Sequence, residues 1–226
     1  MRHESKATFG LVLTGGGARG AYQVGVLKAI AELSRNDAIM AKIIARFPDD
    51  SLYSKEDAFH TLLRSITGQQ ISVKAADAIW GRLEEACEHK LLPQTIANLS
   101  EETLRACGYS RMKVSYLHSL AEYFMTREQP EREWAQMSDA EVVKDITQIR
   151  GIGVWTAEMF LMFHLLRLNL LPLGDIGLLN AVAKYYHEGE RKSLDEVREL
   201  AEMWQPYRSV ATWYLWRALD DEPVAY

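Results

Sequence analysis

The chain has 226 residues, 48% hydrophobic and 25% charged, with 14 Gly and 6 Pro. That composition fits one or two compact domains and excludes a disordered or collagen-like chain. Two cysteines, Cys87 and Cys107, are too few for a disulfide framework, a thiolate zinc site or a four-cysteine iron–sulfur cluster, so a reducing, cytoplasmic compartment is expected. The net charge of −5 argues against a nucleic-acid partner held by bulk charge alone.

That average conceals an asymmetry. The windows 58–76, 103–121, 146–157 and 203–219 contain no Asp or Glu, yet hold Arg64, Lys74, Arg105, Arg111, Lys113, Arg150, Arg208 and Arg217. Acidity is therefore expected mainly on one side of the molecule, with a modest positive face on the other. The longest apolar stretch, residues 160–173, is broken by His164, Arg167 and Asn169. It falls short of the roughly 18 residues that suggest a membrane span, and no membrane partner is expected. Near the N-terminus, Gly15 to Gly20 with Arg19 interrupts the apolar run too early for a signal peptide.

In chain order, Phe9-Gly-Leu-Val-Leu-Thr14 reads as a short strand, Gly15-Gly-Gly-Ala-Arg-Gly20 as a loop, and residues 21–33 as a helix. From Asp37 onward helix follows helix. Ile39, Ile43 and Ile44 share a face that Phe47-Pro48 closes, and Ala58, Leu62, Leu63 and Ile66 form another, stopped by Gly68. A further helix starts near Ser72 and runs through Ala75, Ala76, Ile79 and Leu83. Ser100 before Glu101 and Glu102 reads as an N-cap, and Ser138-Asp-Ala-Glu141 as a capping box. Asp175, before Ile176, Leu178, Leu179 and Val182, would cap one more helix.

The densest signal is Ile149-Arg-Gly-Ile-Gly-Val-Trp-Thr-Ala157. Gly151 and Gly153 permit a tight reversal between two helices, so that the second helix presents free backbone N–H groups suited to one phosphate. A plain αα-hairpin turn fits Gly-x-Gly equally well. The segment resembles the helix–hairpin–helix of the base-excision DNA glycosylase superfamily. Leu171-Pro-Leu-Gly-Asp-Ile-Gly-Leu178 is similar to the segment carrying that superfamily's catalytic aspartate. Thr67-Gly-Gln-Gln-Ile-Ser72 with Lys74-Ala-Ala76, and Trp204-Gln-Pro-Tyr-Arg-Ser-Val-Ala211, resemble two further segments of the AlkA-type 3-methyladenine DNA glycosylases. The four matches stand in the right order over residues 31–220.

The resemblance implies an all-α fold with two helical subdomains flanking a DNA-binding cleft. Residues 29–226 would form the glycosylase domain, with residues 56–165, including the hairpin, as one subdomain and 29–55 plus 166–226 as the other. The implied partner is double-stranded DNA containing alkylated bases, acted on by a monomer associated, in a bacterium, with the cytoplasmic nucleoid.

An alkylated purine leaves deoxyribose as an already cationic base, so no strong general acid is required, and one carboxylate can stabilise the oxocarbenium ion and orient water. Asp175 is the candidate; an ordinary helix cap is its plainer reading, and the two roles are compatible. Trp155 and Tyr207 match aromatic positions of the base pocket, with Gln69 beside them, where a flipped electron-poor base gains from cation–π attraction. Both aromatics fit a packed core equally well. Gln70 matches the plug that fills the vacated space in the duplex. Gly151, Ile152, Gly153 and Thr156 would grip a phosphate, and the carbonyls of Thr147, Ile149 and Gly151 would hold a structural monovalent cation; no other cofactor is implied. Arg208 is read as approaching either Asp175 or a phosphate, and Arg111 and Lys113 as phosphate contacts or solvated charge. Strand-nicking relatives place a Schiff-base lysine where Trp155 stands, so hydrolysis without lyase activity is expected.

The leader points elsewhere. Residues 15–27 resemble the opening of patatin-like phospholipases and also satisfy Gly-x-Gly-x-x-Gly. The chain contains no Gly-x-Ser-x-Gly, and no further βα units follow as a dinucleotide domain needs. Residues 1–28 are therefore read as a non-functional patatin-like leader. Three readings stand: a glycosylase for alkylated purines such as 3-methyladenine and 7-methylguanine, a patatin-like acyl hydrolase lacking its nucleophile, and a non-catalytic DNA-binding hairpin protein.

Overall fold

A computed structural model describes residues 17–47, 57–128 and 130–219. Every regular element among them is helical. The helices are α1 (Gly17–Asn36), α2 (Ala38–Ile44), α3 (Ala58–Gly68), α4 (Val73–Ala86), α5 (Pro93–Asn98), α6 (Glu101–Cys107) and α7 (Arg111–Met125). They continue with α8 (Pro130–Trp134), α9 (Asp139–Ile146), α10 (Val154–Phe163), α11 (Ile176–Tyr186), α12 (Leu194–Leu200), a 3-10 turn (Ala201–Trp204) and α13 (Arg208–Leu219). The strand expected at residues 9–14 lies outside the described residues. The loop expected at 15–20 is in part helix, since α1 begins at Gly17. Among the described residues no helix is long and apolar enough to cross a membrane.

Many of these helices are too short to persist on propensity, and local caps start them. Asp37, Asp57, Ser72, Ser100, Ser110, Ser138, Asp175 and Ser193 each accept a first-turn backbone N–H on the side chain. Each such bond contributes about 1 kcal/mol. The expected caps at Ser100, Ser138 and Asp175 are all present, and the helix expected to start near Ser72 is capped by that residue. By contrast, α10 starts at Gly153 with no side-chain cap, which leaves its N-terminal amides available.

Buried apolar side chains gather in two large clusters. One joins α3 through α10 around Leu62, Leu63, Leu83, Leu104, Leu117 and Trp134. The other joins α1, α2, α11 and α13 around Leu33, Met40, Leu178, Trp204 and Tyr214. A third, small cluster packs Met159 and Met162 of α10 against Trp216 of α13. It lies where a helix of the first cluster meets a helix of the second.

Each large cluster encloses one aspartate, and a carboxylate buried there needs donors. Asp145 accepts from Trp134 Nε1 at 2.8 Å and from the Tyr123 hydroxyl, and pairs with Arg127 at 2.7 Å. Asp37 accepts from Trp204 Nε1 at 3.0 Å and from the Tyr186 hydroxyl.

Candidate active site

A third buried aspartate, Asp175, has a different setting. As N-cap of α11 it accepts the Leu178 N–H on Oδ1 at 2.6 Å, and the same oxygen takes Trp216 Nε1–H at 2.7 Å. Oδ2 accepts Trp155 Nε1–H at 2.9 Å. Trp134 and Trp204, the partners of the other two aspartates, are fully buried, whereas Trp155 is 40% exposed. Asp175 therefore stands at the edge of the interior, with Oδ2 held by a ring that faces solvent. A Cβ on Gly177 would lie 3.1 Å from the Trp216 ring and 3.0 Å from Asp175 Oδ1, so glycine there leaves room for the indole beside the carboxylate.

Trp155 occupies the first turn of α10, immediately after the hairpin. Gly151 has φ +88, and a Cβ there would lie 2.1 Å from the Tyr116 ring. Conformation and packing both call for glycine at this turn. The first intrahelical bond of α10 runs from Ala157 N to Gly153 O at 3.0 Å, so the amides of Val154, Trp155 and Thr156 have no partner within the helix. Gly153 and Val154 are exposed. Together with the helix dipole, these groups form an anion-receptive end.

One expected phosphate contact needs correction: the Ile152 amide is donated to the Ile149 carbonyl at 3.1 Å and its side chain is buried. The Thr156 side chain is buried as well, which leaves its backbone amide as the group that can meet a phosphate. What faces outward is Gly153 and the backbone of the first helical turn. Among the carbonyls read as cation ligands, Ile149 accepts Ile152 N and Gly151 accepts Gln69 Nε2 at 2.9 Å. Neutral carbonyl oxygens suit a hard cation, and each keeps a second lone pair. The donor set of Thr147, Ile149 and Gly151 thus fits the implied ion.

The Gln69 side chain is engaged with the Gly151 carbonyl. Its own carbonyl and that of Thr67 each receive Lys113 Nζ at 2.8 Å, and burial lowers the Lys113 pKa. Lys113 clamps the turn after α3 and is not the phosphate contact or solvated charge expected. Gln70, in that turn, is exposed with φ +59, beside exposed Ile71 and Val73.

Tyr207 is 7% exposed, within the cluster of α1, α2, α11 and α13. Its carbonyl opens α13 by accepting Ala211 N at 3.0 Å. The aromatic ring that meets Asp175 from this part of the chain is Trp216. Sequence reading missed Trp216 because its partner lies 41 residues away and no local spacing links them.

Arg208, partly exposed, donates to Asn169 at 2.9 Å and lies 3.8 Å from Glu202, and it forms no bond to Asp175. Arg64 pairs with Asp77, Arg111 with Glu101, and the Arg217 guanidinium lies 4.8 Å over the Phe47 ring. Of the eight cations in the acid-free windows, Lys74, Arg105 and Arg150 are exposed and form no ion pair among the described residues. The positive face is thinner than the sequence count suggests.

The model of the HhH-GPD superfamily of base excision DNA repair proteins matches residues 63–206, from α3 through the hairpin and Asp175. The chain belongs to the HhH-GPD superfamily. It is 30% identical to DNA-3-methyladenine glycosylase 1 of Schizosaccharomyces pombe, over 83% of this chain and 84% of that protein. Among solved structures, DNA-3-methyladenine glycosidase from Bacillus halodurans superposes with TM-score 0.75 at 35% identity, covering 85% of this chain and 88% of that one. The Schizosaccharomyces pombe 3-methyladenine DNA glycosylase in complex with abasic DNA gives TM-score 0.69 at 30% identity, covering 84% and 95%. The all-helical HhH-GPD fold expected from the hairpin is thereby established.

Proposed function

We propose that this protein is a hydrolytic, monofunctional DNA glycosylase that flips alkylated purines, 3-methyladenine and 7-methylguanine among them, out of double-stranded DNA and cleaves their N-glycosidic bonds. The observation that carries the reading is the Trp155–Asp175 hydrogen bond. It joins the exposed ring at the start of the hairpin's second helix to a buried carboxylate, so the ring that can stack on a flipped base also positions the group that acts on the sugar.

Cleavage follows from that pair. The cationic base departs with the electrons of the C1′–N bond and becomes neutral, while Asp175 opposes the positive charge that develops on the sugar. Trp216 and Leu178 N–H hold Oδ1, so Oδ2 is the oxygen facing the sugar. Water then adds to C1′ and loses a proton to Asp175. The hairpin offers Trp155 and no amine at this position, so the intermediate is hydrolysed, with no Schiff base to open the strand. Gly153 and the first turn of α10 bind a backbone phosphate, and Gln70 enters the space left by the base. The two large core clusters are read as the subdomains on either side of the DNA. A cation on Thr147, Ile149 and Gly151 would stiffen the hairpin. The relative and the two solved structures described above carry the 3-methyladenine glycosylase or glycosidase name, which supports the choice of lesion.

The test is base release from dimethyl-sulfate-treated DNA by the purified chain and by Asp175→Asn. The wild type is expected to release methylpurines, and the variant to lose at least about 10²-fold of that rate. Borohydride treatment should trap no enzyme–DNA adduct. Release that survives Asp175→Asn overturns the mechanism. DNA binding without release by the wild type would favour a non-catalytic hairpin protein.

A further inference from the structure

The turn after α3 carries a backbone feature that the mechanism above leaves unexplained. Gln69 has φ −54 and ψ 127, Gln70 has φ +59, and the Ile71 amide is donated to the Gly68 carbonyl at 3.4 Å. Residues 68–71 thus form a type II β-turn, with Gln70 at the corner that needs a positive φ and ordinarily takes glycine or asparagine. A glutamine there is strained, because its Cβ crowds the backbone in the left-handed region. A type I turn over the same four residues has a negative φ at that corner and suits glutamine. The two turns differ chiefly by rotation of one peptide unit, the Gln69 carbonyl with the Gln70 amide.

What decides between them lies on α7. Lys113, half-buried on the first turn of that helix, donates from Nζ to the carbonyls of Thr67 and Gln69, each at 2.8 Å. The Gln69 carbonyl is the one that the peptide rotation would carry away from the ammonium. A charged donor makes the stronger class of hydrogen bond, and this one exists only in the type II state. The chain is anchored on both sides of the same peptide. The Thr67 hydroxyl is bonded to the Leu63 carbonyl and to the Tyr109 hydroxyl, each at 2.8 Å, which fixes the end of α3. The Gln69 side chain reaches the Gly151 carbonyl of the hairpin at 2.9 Å. Beyond these anchors Gln70 stands exposed.

We propose that Lys113 is a positioning residue: by holding the Gln69 carbonyl it keeps the 69–70 peptide in its type II orientation, so that the duplex meets a turn already shaped for Gln70 to enter. Strain that persists because its surroundings fix it is one way a site is prepared before its ligand arrives. Without the ammonium the turn relaxes toward type I and the Gln70 side chain leaves the entering direction. Only the fraction of molecules still in the type II state then binds directly. Lys113 acts on the turn, not on the reacting atoms.

The inference rests on the glycosylase reading, in which Gln70 enters the duplex, and the experiment keeps the two apart. Its first arm needs no DNA. In the free protein the nuclear Overhauser effect between Gln69 Hα and the Gln70 amide hydrogen is strong in a type II turn, since ψ 127 sets the two side by side. In a type I turn the effect between the Gln69 and Gln70 amide hydrogens takes its place. The ratio of the first to the second should be high in the wild type and fall severalfold in Lys113→Met. In the second arm, binding of a duplex carrying an abasic analogue should weaken at least about fivefold in Lys113→Met, as the competent fraction falls by that factor. Lys113→Arg, which keeps a cationic donor, should recover part of it. Combined with Gln70→Gly, which removes the strain of a positive φ, Lys113→Met should cost less than about twofold. An unchanged ratio in Lys113→Met overturns the assignment, as does an equal loss of binding with and without Gln70→Gly. If Lys113→Met does not fold, Lys113→Gln, with one neutral donor, is read by the same ratio, and an unchanged value overturns the assignment there too. A wild type with the type II pattern that does not bind the abasic duplex removes the glycosylase reading and with it the positioning role, while the turn assignment stands.

Discussion

The side-chain amide of Gln69 donates to the carbonyl of Gly151 at 2.9 Å, across 82 residues of sequence. It ties the turn that carries Gln70 to the hairpin that opens α10. Lys113 secures the same turn from α7 through the carbonyls of Thr67 and Gln69. The turn proposed to enter the duplex and the hairpin amides proposed to hold its backbone are thus tied to each other.

Breaking that tie should affect DNA binding more than folding. Gln69→Ala removes one part-buried hydrogen bond, worth about 1 kcal/mol of stability, and frees the turn from the hairpin. Calorimetry should record a fall in Tm of a few degrees. Binding of abasic duplex, followed by fluorescence anisotropy, should weaken about fivefold or more, because ordering the turn is then charged to the binding step. Wild-type affinity in the variant would mean that turn and hairpin act independently.

Lys113 and Arg150 should separate in their response to salt. The Lys113 ammonium is committed to two carbonyls, so Lys113→Met should lower stability by about 1–3 kcal/mol while leaving the slope of log K against log salt unchanged. Arg150 is exposed beside the hairpin, and Arg150→Ala should reduce that slope by about 0.9, the value for one phosphate contact. Titrations of duplex at several salt concentrations measure both.

Gly151→Ala should be costly to the fold. The added Cβ would lie 2.1 Å from the Tyr116 ring, at φ +88, so overpacking and backbone strain combine to about 2–4 kcal/mol. Adding Tyr116→Ala makes room for the methyl but leaves the dihedral, so the double variant should regain part of the overpacking loss. Urea denaturation of the three proteins measures the difference.

Trp216→Phe should test the support of Asp175 without emptying the core. Phenylalanine can keep the stacking on Phe163, whose ring centroid is 5.9 Å away, and the packing on Met159 and Met162, but it cannot donate to Oδ1. Methylpurine release should fall roughly tenfold, in line with the loss of one hydrogen bond to a charged group, with a change in Tm of only a few degrees.

Asp145 should govern stability in acid. Burial pushes its pKa up, but hydrogen bonds from Tyr123 and Trp134 and the Arg127 charge outweigh this and hold it below the usual range. Its folded value thus lies below its unfolded value of about 3.9. The ionised group stabilises the fold fully above that unfolded value, and the contribution is lost as pH falls through the lower folded one. Asp145→Asn should cost about 3 kcal/mol near neutrality, where Arg127 loses its partner. Its Tm should also fall less steeply below pH 4 than that of the wild type.

The parts legible in the sequence are those that short spacing controls. Caps at Ser100, Ser138 and Asp175 are bonds between a side chain and a backbone amide three residues on, so residue type and position suffice to find them. The hairpin and the segment around Asp175 were readable as motifs, and with them the all-helical class and the superfamily. Charge could be counted but not located: Lys113, Arg208 and Arg64 look like surface cations until their partners, 39–46 residues away or across a turn between helices, are known.

By itself, then, the sequence determined where helices start, where the chain reverses and which carboxylate stands at the head of α11. Only the tertiary structure decided that Trp216 meets that carboxylate from α13 and that Gln69 serves the hairpin. Those outcomes depend on how α10, α11 and α13 converge. Residues 41 apart acquire a shared environment only when two packed helices bring them together, and no periodicity along one chain encodes that meeting.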